Sequence, residues 1–186
     1  MHTHDAIKAR RSVKKFTERA VTRDEIETLL SAAALAPNHK LTLPWRFYVL
    51  GPEARYAYGA ALGARKAKKL EDPAAAAELV DKIGAEHRAL PLMIAVAVVN
   101  TENVEQREED YAAAMMAIQN ISLAAVALGL GTHMKTGAVM ADPAARAAAG
   151  VSDDQRIIAI VNVGEPLESV PPKPRTPASE FTTWVP

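Results

Sequence analysis

At 186 residues, 49% of them hydrophobic and 24% charged, the chain is sized for one domain with its own core rather than two. Its 22 basic and 22 acidic residues cancel, which argues against nucleic-acid binding by net charge but says nothing against a local anion pocket. The absence of cysteine excludes disulfides, thiolate nucleophiles and Cys-ligated zinc or iron–sulfur clusters, so any redox work must come from a bound cofactor.

The start, Met1 to Ala6, has no apolar h-region, so a secretory signal is not expected and a cytoplasmic location is compatible with the sequence. A first helix is predicted from near Thr3 to Arg10, followed by an extended segment from Ser12 to Phe16. Thr22 and Glu25 have the spacing of a capping box, and the helix behind them carries Ile26, Leu29, Leu30 and Ala33 on one face until Pro37 stops it. Trp45 to Leu50 reads as a strand. Pro52 to Leu62 reads as a short helix, the charged run from Arg65 to Pro73 as an exposed connection, and Ala74 to Arg88 as another helix. The apolar run from Pro91 to Val99 has the length and valine content of a buried strand.

Tyr111 to Leu130 is long enough to span a bilayer, which takes about 20 apolar residues. Gln119, Asn120 and Ser122 interrupt its middle, and Glu108, Glu109 and Asp110 precede it with no basic flank, so a helix buried in a globule or an interface is expected. The acidic trio reads as the start of that helix. Gly129 and Gly131 end it, and Thr132 to Gly137 follows as a short strand or loop. Asp142 and Pro143 open another helix as N-cap and first residue, and Arg156 to Gly164 reads as a strand. The tail from Glu165 to Pro186 holds six prolines and no helical period; it is either disordered or laid over another surface, and Phe181 and Trp184 favour the second. Residues 1–186 thus form a single domain with 165–186 as an extended arm.

Three separated cationic segments are candidate ligand contacts. Arg10, Arg11, Lys14 and Lys15 surround Ser12; arginine forks match phosphate oxygens and lysine adds a point charge. Lys173 and Arg175 flank a proline that keeps their backbone extended. Lys135-Thr136-Gly137 offers a cation beside a glycine that permits close backbone approach. Read alone, the first run also fits a solvated basic turn, but together the three suggest one anion pocket built from distant segments. No G-x-G-x-x-G, Walker or G-x-S-x-G motif is present. His39 lies in a loop, where it meets either a ligand or its own backbone, and the histidines lack metal-ligand spacing.

These segments resemble, in order, the blocks of the nitroreductase family. Arg10 to Phe16 is similar to its Arg-Arg/His-Ser-x-Arg/Lys-x-Phe opening, and Ala36 to Phe47 to the block ending in Pro-Trp-x-Phe. Gly129 to Gly137 is similar to the Gly-rich block after the long helix, Ile160 to Pro166 to the last strand and Gly-x-Pro turn, and Lys173 to Pro177 to Lys-x-Arg-x-Pro. Ala36-Pro37-Asn38-His39-Lys40 is similar to the short, YdjA-like subgroup.

The resemblance implies an α+β three-layer sandwich, a central sheet between helices, in a homodimer whose C-terminal tails are exchanged. It implies FMN at the dimer interface, NADH or NADPH as hydride donor, and a small organic acceptor such as a nitroaromatic or quinone, reduced by a ping-pong route. No catalytic side chain, metal, membrane or nucleic-acid partner is expected. Carried over by motif, Arg10 and Ser12 would contact the phosphate and ribityl region and Lys14 the N1–C2=O edge, with Arg11 also among the cofactor-binding residues. His39 would reach the other subunit's flavin, Met134, Lys135, Thr136 and Gly137 would line the cofactor, and Lys173 and Arg175 would close on the phosphate. Leu35 and Leu43 stand where relatives often carry arginine and glutamine, so the acceptor stays open. Alternatives are another flavin reaction on the same fold (dehydrogenation, dehalogenation or flavin fragmentation) or a non-catalytic flavin-binding protein. A helix-turn-helix regulator is disfavoured by the neutral charge and the lack of a basic recognition helix.

Overall fold

The computed structural model describes residues 2–186. Four antiparallel strands form one sheet: β1 (Trp45–Val49), β2 (Leu92–Val99), β3 (Gly131–Lys135) and β4 (Gln155–Gly164), in the order β1-β2-β4-β3. The two nearly unbroken apolar runs take the middle positions, as strands covered on both faces must. The shorter strands that carry Arg46, His133 and Lys135 take the edges. A register shift between Val96 and Ala97 bulges β2 against β4.

Helices cover both faces, giving the α+β sandwich. On one face α2 (Arg23–Ala34) and α5 (Val104–Ala127) bury Leu29, Ala33, Ile118 and Ile121 against Ile94, Val96, Val161 and Val163. Each large side chain removed from water there contributes about 1.5–3 kcal/mol. α1 (Thr3–Ala9) packs on α5. On the other face α3 (Pro52–Ala67) and α6 (Pro143–Ala148) bury Tyr58, Ala61 and Ala145 against Met93, Ala95, Ala97 and Ile160, and α4 (Pro73–Arg88) packs along α3.

Local chemistry sets the helix ends. Thr22 and Glu25 form the capping box, with Glu25 N donating to Thr22 Oγ1 at 3.3 Å and Thr22 N to Glu25 Oε2 at 2.8 Å. Asp142 accepts from Ala144 N at the start of α6, with Pro143 next. α5 ends in a Schellman motif: Leu130 N donates to Ala125 O at 2.8 Å, Gly129 N to Val126 O at 3.1 Å, and Gly129 takes φ +73°.

Two helices are longer than their sequences suggest. α3 continues past Leu62 to Ala67, because Arg65 and Lys66 suit the negative end of the helix dipole. α5 starts at Val104, capped by Asn103, so Glu108, Glu109 and Asp110 lie more than a turn inside it. α3 also approaches α4 closely: a Cβ on Gly59 would stand 2.6 Å from Ile83 O, and one on Gly63 2.8 Å from Val80 Cα.

The N-terminal segment after α1 forms a strap. Ser12 bridges Thr132 on β3, and Val13 N donates to Thr132 O at 2.9 Å. Phe16 bridges Pro166, Thr17 N donates to Glu165 O at 2.9 Å, and Leu167 N donates to Lys15 O at 3.1 Å. The strap sits where glycines leave room: a Cβ on Gly164 would lie 2.9 Å from the Phe16 ring, and one on Gly131 would run into Val13. The arm past Leu167 is extended and exposed, with a short 3-10 turn at Ala178–Phe181. Trp184 is 90% exposed in the single chain, a large apolar surface without cover.

Candidate active site

Pairing of the strap with the start of the arm brings the two ends of the chain together. Between them lies a cavity of about 860 Å³, lined by Arg10, Arg11, Ser12, Lys14, Lys173 and Arg175 among others. The first and last cationic segments thus converge within one chain. Among the described residues Arg10, Lys14, Lys173 and Arg175 have no ion pair; the cavity's carboxylate, Glu168, holds Lys15 at 3.5 Å, and both of those side chains are well exposed. A pair so open to solvent neutralises little. Arg11 is turned back: Nη1 donates to Lys8 O at 2.6 Å and Arg10 O at 2.9 Å, so part of its fork closes the end of α1.

The third segment is divided by the alternation of β3. Thr132 and Met134 face α5, where Thr132 Oγ1 donates to Ser122 Oγ at 3.1 Å. There Met134 joins Arg10 and Ser12 around a smaller cavity of about 290 Å³. His133 and Lys135 lie on the α3–α4 side, and Lys135, Thr136 and Gly137 border a second cavity of about 680 Å³, at which Met134 also stands. Gly137 has φ +154°, a conformation L side chains rarely adopt. Burial drives the His133 imidazole below its ordinary range, helped by repulsion from Lys135 and Lys14. Lys135 is lowered by burial and then by Lys66.

His39 lines none of these cavities. Its Nδ1 lies 2.7 Å from Glu109 Oε1, so the acidic trio, expected to begin a helix, instead lies inside α5 and fastens the loop between α2 and β1. In the same loop Thr42 Oγ1 donates to the buried Asp110, and Leu43 N donates to Asn38 Oδ1 at 2.6 Å. These bonds hold Lys40, Leu41 and Leu43 at φ +56°, +50° and +46°, values that cost of order 1–3 kcal/mol per non-glycine residue. Leu35, at 82% exposed, and Leu43 stand open at this loop. No local pattern announces the Thr17 Oγ1 bond to Glu165 Oε2 at 2.8 Å, nor the wall of Tyr58, Lys66 and His87 facing Lys135. Each depends on segments far apart in the chain.

The fold is an antiparallel α+β sandwich whose terminal strap and arm gather Arg10, Lys14, Lys173 and Arg175 around one cavity. The chain belongs to the nitroreductase family, whose profile it matches over residues 7–165. It is 33% identical to YfhC of Bacillus subtilis (strain 168), provisionally named an NAD(P)H nitroreductase, over 98% of this chain and 96% of that protein. A nitroreductase-like family protein from Bacillus cereus superposes with a TM-score of 0.85 at 30% identity, covering 100% of this chain and 96% of that one. A protein from Desulfovibrio desulfuricans, provisionally classed as a nitroreductase and solved in complex with FMN, shares the fold (TM-score 0.74, 24% identity, 99% of this chain and 96% of that one).

Proposed function

We propose that this protein is an FMN-dependent oxidoreductase that takes hydride from NADH or NADPH and delivers it to a small organic acceptor, such as a nitroaromatic or quinone, in alternating half-reactions. The observation that carries the reading is the convergence of Arg10, Lys14, Lys173 and Arg175, which have no ion pair among the described residues, with Ser12 on one cavity of about 860 Å³. A phosphate monoester is a dianion that accepts several hydrogen bonds, and this donor set suits it. The FMN of the Desulfovibrio structure and the NAD(P)H in the name of YfhC agree with this.

Arg10, Ser12, Lys173 and Arg175 would hold the phosphate, with Arg11 fixing the strap through its backbone contacts. Lys14 would face the N1–C2=O edge, where a cation favours negative charge. Met134, Lys135, Thr136 and Gly137 would line the ring. Bound FMN would supply the two-electron carrier that lets donor and acceptor react in turn. His39 sits on a strained loop beside exposed Leu35, Leu41 and Leu43, and Phe181 and Trp184 on the arm are bare. Both features support a homodimer in which loop and arm reach the second subunit, His39 toward its flavin. The protein would work in the cytoplasm as a single domain spanning 1–186; among the described residues no helix is long and apolar enough to cross a membrane.

The test is the visible spectrum of the purified protein, followed by NADH and NADPH oxidation with a nitroaromatic and with a quinone. Flavin bands and turnover with at least one acceptor are expected. A yellow protein inactive with both donors on both acceptors would reject the reductase assignment.

A further inference from the structure

The cavity of about 680 Å³ on the α3–α4 side of β3 has a composition of its own. Tyr58, Leu62, Val139, Met140 and Ile160 give it an apolar wall, while Arg65, Lys66, Lys69 and Lys135 bring cations to it and no carboxylate lines it. Asp142 holds Arg65 at 3.6 Å, but among the described residues Lys66, Lys69 and Lys135 have no ion pair. Lys135 is half-buried and close enough to Lys66 to be destabilised by it, with only Glu86 acting in the other direction. Two ammonium groups repelling across partly desolvated space are stabilised by an anion placed between them. His87 is buried at the back; its Nδ1 donates to Ile83 O at 2.8 Å, and among the described residues no hydrogen bond occupies Nε2. An inorganic ion would leave most of this volume unfilled, whereas small-molecule sites of this size join apolar walls to a few polar anchors.

We propose that this cavity binds an organic anion, its apolar body seated against Tyr58, Leu62 and Ile160 and its carboxylate or phosphate held by Lys66, Lys69 and Lys135. Lys135 and Gly137 also belong to the wall expected to line the flavin, so the experiment must separate the two ligands. Protein saturated with FMN is titrated by calorimetry with benzoate, phenyl phosphate and the neutral benzamide. At least one anion should saturate a single site, and benzamide should bind at least about tenfold more weakly. The double variant Lys66→Met with Lys69→Met should weaken the anion by about 10- to 100-fold, the range for losing charged hydrogen bonds, with unchanged FMN content. The tighter of the two anions identifies the head group. Benzamide binding equally well, neither anion binding, or anion binding that persists in the double variant would overturn the proposal. So would binding to FMN-free protein that FMN abolishes, since the flavin itself would then fill the cavity. If the protein takes up no FMN, the same titration on protein as purified, with the same variant, decides the matter independently of the oxidoreductase reading.

Discussion

Tyr58 offers a quantitative test of the α3 face. It is 3% exposed, and its hydroxyl is cut off from water without a hydrogen-bond partner. An unsatisfied buried polar group costs about 1–3 kcal/mol, and phenylalanine fills the same ring volume without it. Tyr58→Phe should therefore stabilise the protein by about 1 kcal/mol at pH 7, raising Tm by about 2–4 °C for a chain of this size. Burial pushes the phenol up to about 12 from its ordinary 10.0. The unfolded chain therefore loses this proton first, and the wild-type protein loses stability as pH rises above 10. By pH 11 that loss reaches about 1.4 kcal/mol, so the advantage of the variant should grow from about 1 to about 2.4 kcal/mol. Urea unfolding of both proteins at pH 7 and pH 11, compared at equal slopes, measures it. A variant less stable than wild type at pH 7 would show that the hydroxyl has a partner in solution. A difference that does not grow by pH 11 would show that the phenol is not isolated from water.

Gly59→Ala should cost about 1–3 kcal/mol in thermal unfolding, because its Cβ would stand 2.6 Å from the Ile83 carbonyl, a backbone atom that cannot swing aside. Wild-type stability would mean that α3 and α4 are looser than described. Gly131→Ala, which drives a Cβ into Val13, should lift the strap and lower FMN affinity together with stability; FMN titration and denaturant unfolding on the same variant check the pairing. Burial lowers the His87 and His133 imidazoles from 6.5, so the unfolded chain takes up their protons first. Stability should thus fall as pH drops below about 6.5, and His87→Gln should make that fall shallower in a urea series; an unchanged slope would contradict it.

Much of the frame was readable because its causes are local. The Thr22–Glu25 spacing, the Asp142-Pro143 start, the Gly129 stop and the apolar runs of β2 and β4 each act within a few residues. What escaped sequence reading depends on partners distant in the chain. Arg65 and Lys66 resemble a solvated linker until α3 is seen to end on them, and Gly59 and Gly63 weaken a helical pattern until α4 is placed against them. The left-handed residues Lys40, Leu41 and Leu43 carry no glycine or asparagine signal, since Asn38 within the loop and Glu109 and Asp110 outside it impose its shape. At the site, composition suggested an anion pocket, and the structure joins the strap to the arm through Lys15–Leu167 and Thr17–Glu165. His39 stays apart from the cradle within one chain.

The most direct measurement compares the affinities of FMN and riboflavin, which differ only in the phosphate, for wild type and for Arg10→Ala and Arg175→Ala. If these cations grip that phosphate, FMN should bind at least about 100-fold more tightly than riboflavin, and each substitution should narrow the gap by about tenfold or more. Equal affinities in the wild type, or a gap untouched by both substitutions, would contradict the account.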